Sequence, residues 1–372
     1  MVILEEPYAS NRLLEYLSEN KIPVLRNEFS KRADSKENPL KLTEEIDFIE
    51  QYHRSGKLYT TSEYALDWVV GSALNDPGLN RQISLMKDKA AFREACLPLY
   101  PEFLFYKLPY PELFEFNFSS LKFPCVLKPY IGFLSAGVYT IFDEEDWEKA
   151  LIDIRDNFAG QAENFPDTVV GKDAFIIESY IEGDEFAIDI YFRGKEPVIV
   201  NIFKHPFSSS KDVSDRLYIT SKAIFDNYLA VFTEYMNRLN SVLGLENIPI
   251  HIELRVDEKG NILPIEINPL RFTGLCLNEI NYHITGHHPL HYFFSNTSPD
   301  YRNMWKGKEN DTYCFSILEK SGNAFDMDAA KQIYSDILEW RAMDNPKLDI
   351  NAFVFSKTSE EKELKRILEL EV

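Results

Sequence analysis

A chain of 372 residues with 45% hydrophobic content is long enough for two or three domains and a sizeable core. Sixty acidic residues against forty basic ones leave a net charge of −20, which argues against a broad basic surface for a nucleic-acid backbone and against anionic membranes. An anionic ligand must then be met by a few placed lysines and arginines.

In chain order, Val2-Ile-Leu4, a helical stretch carrying Leu13, Leu14 and Leu17, and Ile22-Pro-Val-Leu25 predict a β-α-β opening, Rossmann-like but without a phosphate-binding glycine turn. The segment before Pro7 has no basic region ahead of its apolar residues and no cleavage-like site. No apolar run is long enough to span a bilayer, so a cytoplasmic address without a membrane partner is expected. Residues 30–40 read as a charged loop, and the aromatic-rich segment to about Ser84 as partly helical, which ends a first domain at 1–85. From Asp88 to Pro299 strands and helices alternate. Asp143 can cap a helix with Trp147, Leu151, Ile154 and Phe158 on one stripe, and a second helix runs from about Ser221 to Gly244. This predicts a central domain over 86–299, divided near 180, and a small carboxy-terminal α/β tail over 300–372 with a strand at Ile350–Phe355 and a helix from Ser359 to Leu370. The fold class is α/β (α+β). Cys96, Cys125, Cys276 and Cys314 are too far apart in sequence for a paired zinc or dithiol motif and read as reduced packing residues.

Three segments carry chemistry. Phe123-Pro-Cys-Val-Leu-Lys-Pro129 is a strand ending in Lys128, followed by a Gly/Ser loop to Val138 and a second strand, Tyr139–Phe142. Backbone amides and the Ser135 hydroxyl in such a loop can donate to phosphates while Lys128 supplies charge. Gly132 and Gly137 have Walker A spacing, but Val138 and Tyr139 stand where Lys and Ser/Thr are required, so a P-loop is rejected. The run Phe175–Asp189 is an apolar strand, a break at Gly183 and a second strand whose polar face starts at Glu185. The third is a hairpin, Ile250–Val256 and Ile262–Asn268 around Asp257–Gly260. Pairing Val256 with Asn261 matches Leu254 with Leu263, Ile252 with Ile265 and Ile250 with Ile267. Glu253, Glu266 and Asn268 then share one face, an all-oxygen set suited to Mg²⁺ or Mn²⁺. His283, His287 and His291 have helical spacing, but Gly286 and Pro289 interrupt the helix and His288 completes what reads as incidental clustering rather than a zinc site.

Taken together, Lys89, the Lys128 strand with its loop, the Glu178-x-x-x-x-Gly183-x-Glu185 run and the carboxylate hairpin resemble the ATP-grasp superfamily, closely over residues 88–274. The resemblance implies that Lys89 and Lys128 neutralise ATP phosphates beneath a loop containing Ser135 and Gly137. It puts Glu178 at the adenine end, has Ser179 and Ile181 offer backbone groups to the base, and has Glu185 accept ribose hydroxyls. It makes Glu253, Glu266 and Asn268 ligands of two Mg²⁺ ions, and sets Arg271 against the transferred phosphoryl group or the substrate carboxylate. The family often has Asn-Pro-Arg where this chain has Asn268-Pro-Leu-Arg271. Lys204, at the end of Val198–Phe203, loosely matches a basic residue near the γ phosphate, and Arg255 shares the metal face and could orient Glu253 or an acyl phosphate.

The activity so implied is ATP-dependent ligation of a small carboxylate to an amine through an acyl phosphate, with ADP and phosphate released. A kinase acting on a hydroxyl would use the same ATP site, and a silent nucleotide-binding module would dispense with some of its ligands. No aromatic-basic strand motif suggests a nucleic-acid partner. The family's frequent dimers make a homodimer compatible with the chain.

Overall fold

A computed structural model describes residues 1–71, 74–118, 121–132, 137–158, 171, 173–208, 214–320, 326–345 and 348–369. Four short strands, β1 (Val2–Ile3), β2 (Pro23–Leu25), β3 (Lys41–Thr43) and β4 (Tyr59–Thr60), form a sheet ordered β3-β2-β1-β4 with every pairing parallel. Parallel neighbours require crossovers, here the helices Asn11–Glu19, Glu28–Ala33 and Glu45–Ser55. The first starts at Ser10, whose hydroxyl accepts from the Leu13 N–H, and it buries Leu13, Leu14 and Leu17 against Val2, Leu4 and Val24. The expected β-α-β opening is present. The segment read as a loop from residue 30 begins inside a helix, because Asn27 and Ser30 cap its start reciprocally.

The second sheet contains β5 (Phe105–Pro109), β6 (Cys125–Pro129), β7 (Tyr139–Ile141) and β8 (Ala174–Ser179), antiparallel in the order β5-β8-β6-β7. One face packs on the helix Glu144–Asp153, which Asp143 caps through the Asp146 N–H. Trp147, Ile154 and Phe158 meet Leu127, Phe175 and Ile177 there. Gly137, at φ +71, lies so close to Phe158 that a Cβ would fall 2.6 Å from its ring, so both conformation and space demand glycine.

The third sheet has eight antiparallel strands: β9 (Asp184–Arg193), β10 (Glu196–His205), β11 (Leu217–Ser221), β12 (Pro249–Val256), β13 (Ile262–Pro269), β14 (Thr312–Glu319), β15 (Ile337–Ala342) and β16 (Ile350–Thr358). Their order is β13-β12-β9-β10-β11-β14-β16-β15. β9 and β10 are buried on both faces, which explains their nearly unbroken apolar sequence. The helix Lys222–Leu243, capped by Ser221 and ended by Gly244, lays Phe225, Phe232, Met236 and Leu239 on this core. The carboxy-terminal strands are not a detached tail. β11 pairs with β14, so residues after 300 extend the same sheet whose other edge is the β12–β13 hairpin. Among the described residues no helix is long and apolar enough to cross a membrane.

Candidate active site

The hairpin sets Glu253 opposite Glu266, His251 opposite Asn268 and Ile252 opposite Ile267. This register differs from the expected one. The turn is one residue longer, pairing Val256 with Ile262, because the Asp257 carboxylate accepts from the N–H groups of Lys259 and Asn261, both at 2.8 Å. A one-residue slip alone would turn the carboxylates to the wrong face. A β-bulge at Ile265 adds a second residue and restores the parity, so Glu253, Glu266 and Asn268 share a face. The donor set fits a hard divalent cation: burial and the facing Glu266 push the Glu253 carboxyl up, and a shared cation would relieve that repulsion.

Cations converge on this face from two elements. Lys89, first residue of the helix Lys89–Cys96, lies 3.2 Å from Glu266 Oε2. Lys128, buried on β6, lies 2.6 Å from Glu178 Oε1. Arg93, one helical turn after Lys89, grips Glu178 with Nε at 2.7 Å and Nη2 at 3.0 Å. It also donates to the Pro264 carbonyl at 2.6 Å and the Ile265 carbonyl at 3.0 Å, holding the bulge that precedes Glu266. Burial alone would raise the Glu178 carboxyl, but Arg93 and Lys128 hold it at about 2. Glu266 is likewise held below the carboxylate range against its burial, by Lys89, Lys128 and Lys87. Desolvation pulls Lys128 down from the usual lysine value. Gly132 sits over this cluster, an added Cβ there falling 3.5 Å from Lys89 Nζ. Ser135 lies outside the described residues, as does the rest of the loop between Gly132 and Gly137.

At the β8–β9 break, Gly183 has φ +118 and approaches the Val256 carbonyl so closely that a Cβ would lie 2.2 Å away. Glu185, two residues on, is buried between Arg255, whose Nε is 3.0 Å away, and His205 Nδ1 at 3.0 Å. Burial opposes the charge on Glu185, yet His205 and Arg255 keep its carboxyl low. Arg255 also donates to the Ile181 carbonyl at 2.6 Å, and the Ser179 N–H is taken by the Leu104 carbonyl at 2.9 Å. Arg255 therefore orients Glu185 and the strand break, not Glu253.

Glu253 is instead held by His251, whose Nε2 is 3.2 Å away and whose Nδ1 faces Asp189 at 3.3 Å. Although burial disfavours it, Asp189 and Glu253 raise the imidazole to about 9. Asp189 is anchored by Asn201 at 2.7 Å and by the Thr273 hydroxyl at 2.6 Å, a carboxylate-histidine support of the kind that orients metal ligands. Arg271 is buried beside Glu63, Nη2 to Oε1 3.1 Å, and Lys87 pairs with the other oxygen of Glu63. Among the described residues the buried Arg271 Nε has no hydrogen-bond partner. Around it Leu270, Leu275 and Cys276 adopt positive φ of 61°, 49° and 64°, unusual for side chains of this kind and clustered at the cleft.

One cleft is lined by Lys89, Lys128, Gly132, Glu178, Ser179, Ile181, Glu185, Glu253, Arg255, Glu266, Asn268 and Arg271. Of the expected site residues that are described, Gly137 and Lys204 do not line it. Lys204 points away from the cleft and pairs with Asp184 at 2.7 Å, while the next residue on β10, His205, lines the cleft. Strand alternation makes one residue decide the face. Glu63, Lys87, Arg93, Asp189, His205, His251 and Thr273 were not singled out from the sequence. His251 shares strand parity with Glu253 and Arg93 shares a helix face with Lys89, but Glu63 and Lys87 have no comparable signal. The four clustered histidines divide: His283 and His288 turn to Glu339 and Glu279, at 3.3 and 3.6 Å, while His287 and His291 stack on each other at 4.8 Å. No group of three or more His, Cys, Asp or Glu among the described residues is arranged to hold a metal, and the carboxylate–amide face has only two such members.

Residues 121–279 match the family model of the ATP-grasp domain. No curated protein gives a significant match. Among solved structures, the chain is similar to L-amino acid ligase from Bacillus licheniformis, at 20% identity and TM-score 0.67, over 99% of this chain and 95% of that one. It is also similar to carboxyaminoimidazole ribonucleotide synthase from Aspergillus clavatus complexed with ATP, at 12% identity and TM-score 0.63, covering 99% and 96%. A third is the biotin carboxylase domain dimer of 2-oxoglutarate carboxylase from Hydrogenobacter thermophilus in complex with MgADP, ADP and bicarbonate, at 13% identity and TM-score 0.59, covering 96% and 86%. The chain has the ATP-grasp fold, and its residues 121–279 match the ATP-grasp domain.

Proposed function

We propose that this chain is an ATP-dependent ligase that activates a small carboxylate as an acyl phosphate and passes the acyl group to an amine. The observation that carries the reading is Arg271, which lines the cleft and whose buried Nε–H has no partner among the described residues. A buried guanidinium donor without a partner is costly and suits an incoming carboxylate oxygen. A kinase would need a base for its acceptor hydroxyl at this place. The nearest carboxylate, Glu63, is held low by Lys87 and Arg271 despite its burial, and makes a poor base.

In this reading ATP lies along the cleft, its base near Ile181 and Val126 and its ribose near Glu185, which His205 and Arg255 hold ionised. Lys89 and Lys128 exchange their carboxylate partners for phosphate oxygens. Glu253, Glu266 and Asn268 would hold Mg²⁺, which when bound neutralises phosphate charge. The substrate carboxylate, aligned by Arg271, attacks the γ phosphorus and ADP leaves. The amine then attacks the acyl carbon and phosphate departs. No side-chain nucleophile is required, so the protein contributes charge and in-line position. Three similar structures support this reading: an L-amino acid ligase, a synthase with bound ATP, and a biotin carboxylase domain with bound MgADP and bicarbonate.

The test is Mg·ATP turnover with a panel of amino acids and small carboxylates in the presence of hydroxylamine, reading ADP, phosphate and hydroxamate together. Hydroxamate formed with ADP and phosphate, and lost at least a hundredfold in Glu266→Gln, is the expected result. A stable phosphorylated product without hydroxamate would replace the ligase by a kinase.

A further inference from the structure

Beyond Arg271 the cleft continues into an arm walled by Tyr8, Leu275, Leu277, Phe315 and Ile317. These residues come from the loop after β1, the segment after Arg271 and strand β14. Phe315 and Ile317, two apart on a strand, face the same way, and the Tyr8 ring stands 5.7 Å from Phe353, the cross-strand partner of Ile317. Leu277, Phe315 and Ile317 are no more than 5% exposed, so the arm is an interior surface. Glu63, which lines the same cleft, is already paired with Lys87 and Arg271, and the Tyr8 hydroxyl is engaged by Arg341. A buried pair of similar charge, Glu279 with Arg341 at 2.7 Å, contributes no side chain to the cleft.

We infer that the acyl substrate is an amino acid or related small carboxylic acid with a bulky apolar side chain, its carboxylate at Arg271 and its side chain in this arm. The inference rests on the ligase reading for the role of the carboxylate. A charged or hydroxylated side chain placed here would give up water and meet polar groups that are already paired, Tyr8 with Arg341 and Glu63 with Lys87 and Arg271, whereas each methylene gained or lost in an apolar pocket alters kcat/KM about tenfold or more. The carboxy-terminal strands thereby acquire a task, since β14 supplies one wall of the arm.

Two readouts on one panel test it: thermal stabilisation of the protein with Mg·ADP, and hydroxamate formation with Mg·ATP. The panel is leucine, methionine, phenylalanine and 4-methylpentanoate against serine, aspartate and lysine, on the native chain and Leu275→Asp. Leu275 has φ +49, a conformation that aspartate adopts more readily than leucine, and retained stabilisation by Mg·ADP reports that the variant is folded. Apolar members should raise the melting temperature and be processed at least tenfold better than polar ones, and Leu275→Asp should lose at least tenfold in kcat/KM for leucine. Equal or better use of the polar members, or an undiminished response of Leu275→Asp to leucine, overturns the inference while the ligase stands. Stabilisation by apolar members without any hydroxamate supports the arm and overturns the ligase. Absence of stabilisation by every apolar member overturns the inference whatever the turnover.

Discussion

Replacing Arg93 by methionine keeps most of the side chain's volume and removes its guanidinium. Four hydrogen bonds vanish, two to Glu178 and two to the carbonyls of Pro264 and Ile265. Glu178 stays buried with Lys128 as its remaining cation, and breaking one arm of such a buried network costs about 3–5 kcal/mol, a large part of the roughly 5–15 kcal/mol that holds a protein folded. The carboxyl of Glu178 gives an independent measure. Lowered from an ordinary 4.5 to about 2, it contributes stability that is present above pH 4.5 and drains away as pH falls through 2. That contribution is about 3 kcal/mol at pH 7 and about 1 kcal/mol at pH 3. Arg93→Met should therefore be destabilised by about 3–5 kcal/mol at pH 7, and because Lys128 keeps a share of the Glu178 interaction the gap from the native chain should narrow at pH 3 by no more than about 2 kcal/mol. Urea unfolding at the two pH values, followed by tryptophan fluorescence, measures both. A gap under about 1 kcal/mol at pH 7, or one that does not change with pH, would refute the argument that Arg93 holds the nucleotide end and the metal hairpin together.

Asn268→Ala removes an amide that donates to Glu266 Oε1 at 3.2 Å and the third oxygen donor of the proposed metal face. The Mg²⁺ concentration for half-maximal turnover should rise about 10-fold or more, and an unchanged titration would exclude Asn268 as a ligand. Lys204→Ala should keep kcat/KM within about twofold and cost less than about 1 kcal/mol, because its pair with Asp184 is partly exposed. A tenfold loss of activity would return Lys204 to the site.

Legibility from sequence followed the range over which each feature is determined. Helices with strong ends, such as those starting at Asp143 and Ser221, were read almost to the residue because their caps are local chemistry. The carboxylate face was legible for a different reason: strand parity tolerates an error of two. The hairpin departs from the expected pairing by an added turn residue and a bulge, and the two shifts cancel in parity while they add in register. Neither shift is written in the apolar pattern, since Ile252 finds an isoleucine partner in both registers. The bulge is fixed from outside the hairpin by Arg93, which lies far away in sequence.

That dependence marks the limit of local reading, which leaves the partners of two residues, Lys204 and Arg255, undecided. Lys204 and His205 are adjacent, and alternation assigns opposite faces without saying which faces the cleft; the decision comes from Glu185 on the neighbouring strand, which His205 meets. Arg255 takes Glu185 rather than Glu253 as its partner, because the Gly183 break brings Glu185 and the Ile181 carbonyl within its reach while Glu253 is held by His251. The cleft's charges thus sort into pairs that each join separate elements: Lys89 with Glu266, Lys128 and Arg93 with Glu178, Arg271 and Lys87 with Glu63. In the proposed reaction an anionic substrate would displace the lysines from the first two pairs, leaving Arg93 to keep Glu178 in place. Arg93 can then hold the Glu266 strand fixed while the lysines change partners, so its loss should disturb metal dependence as well as stability.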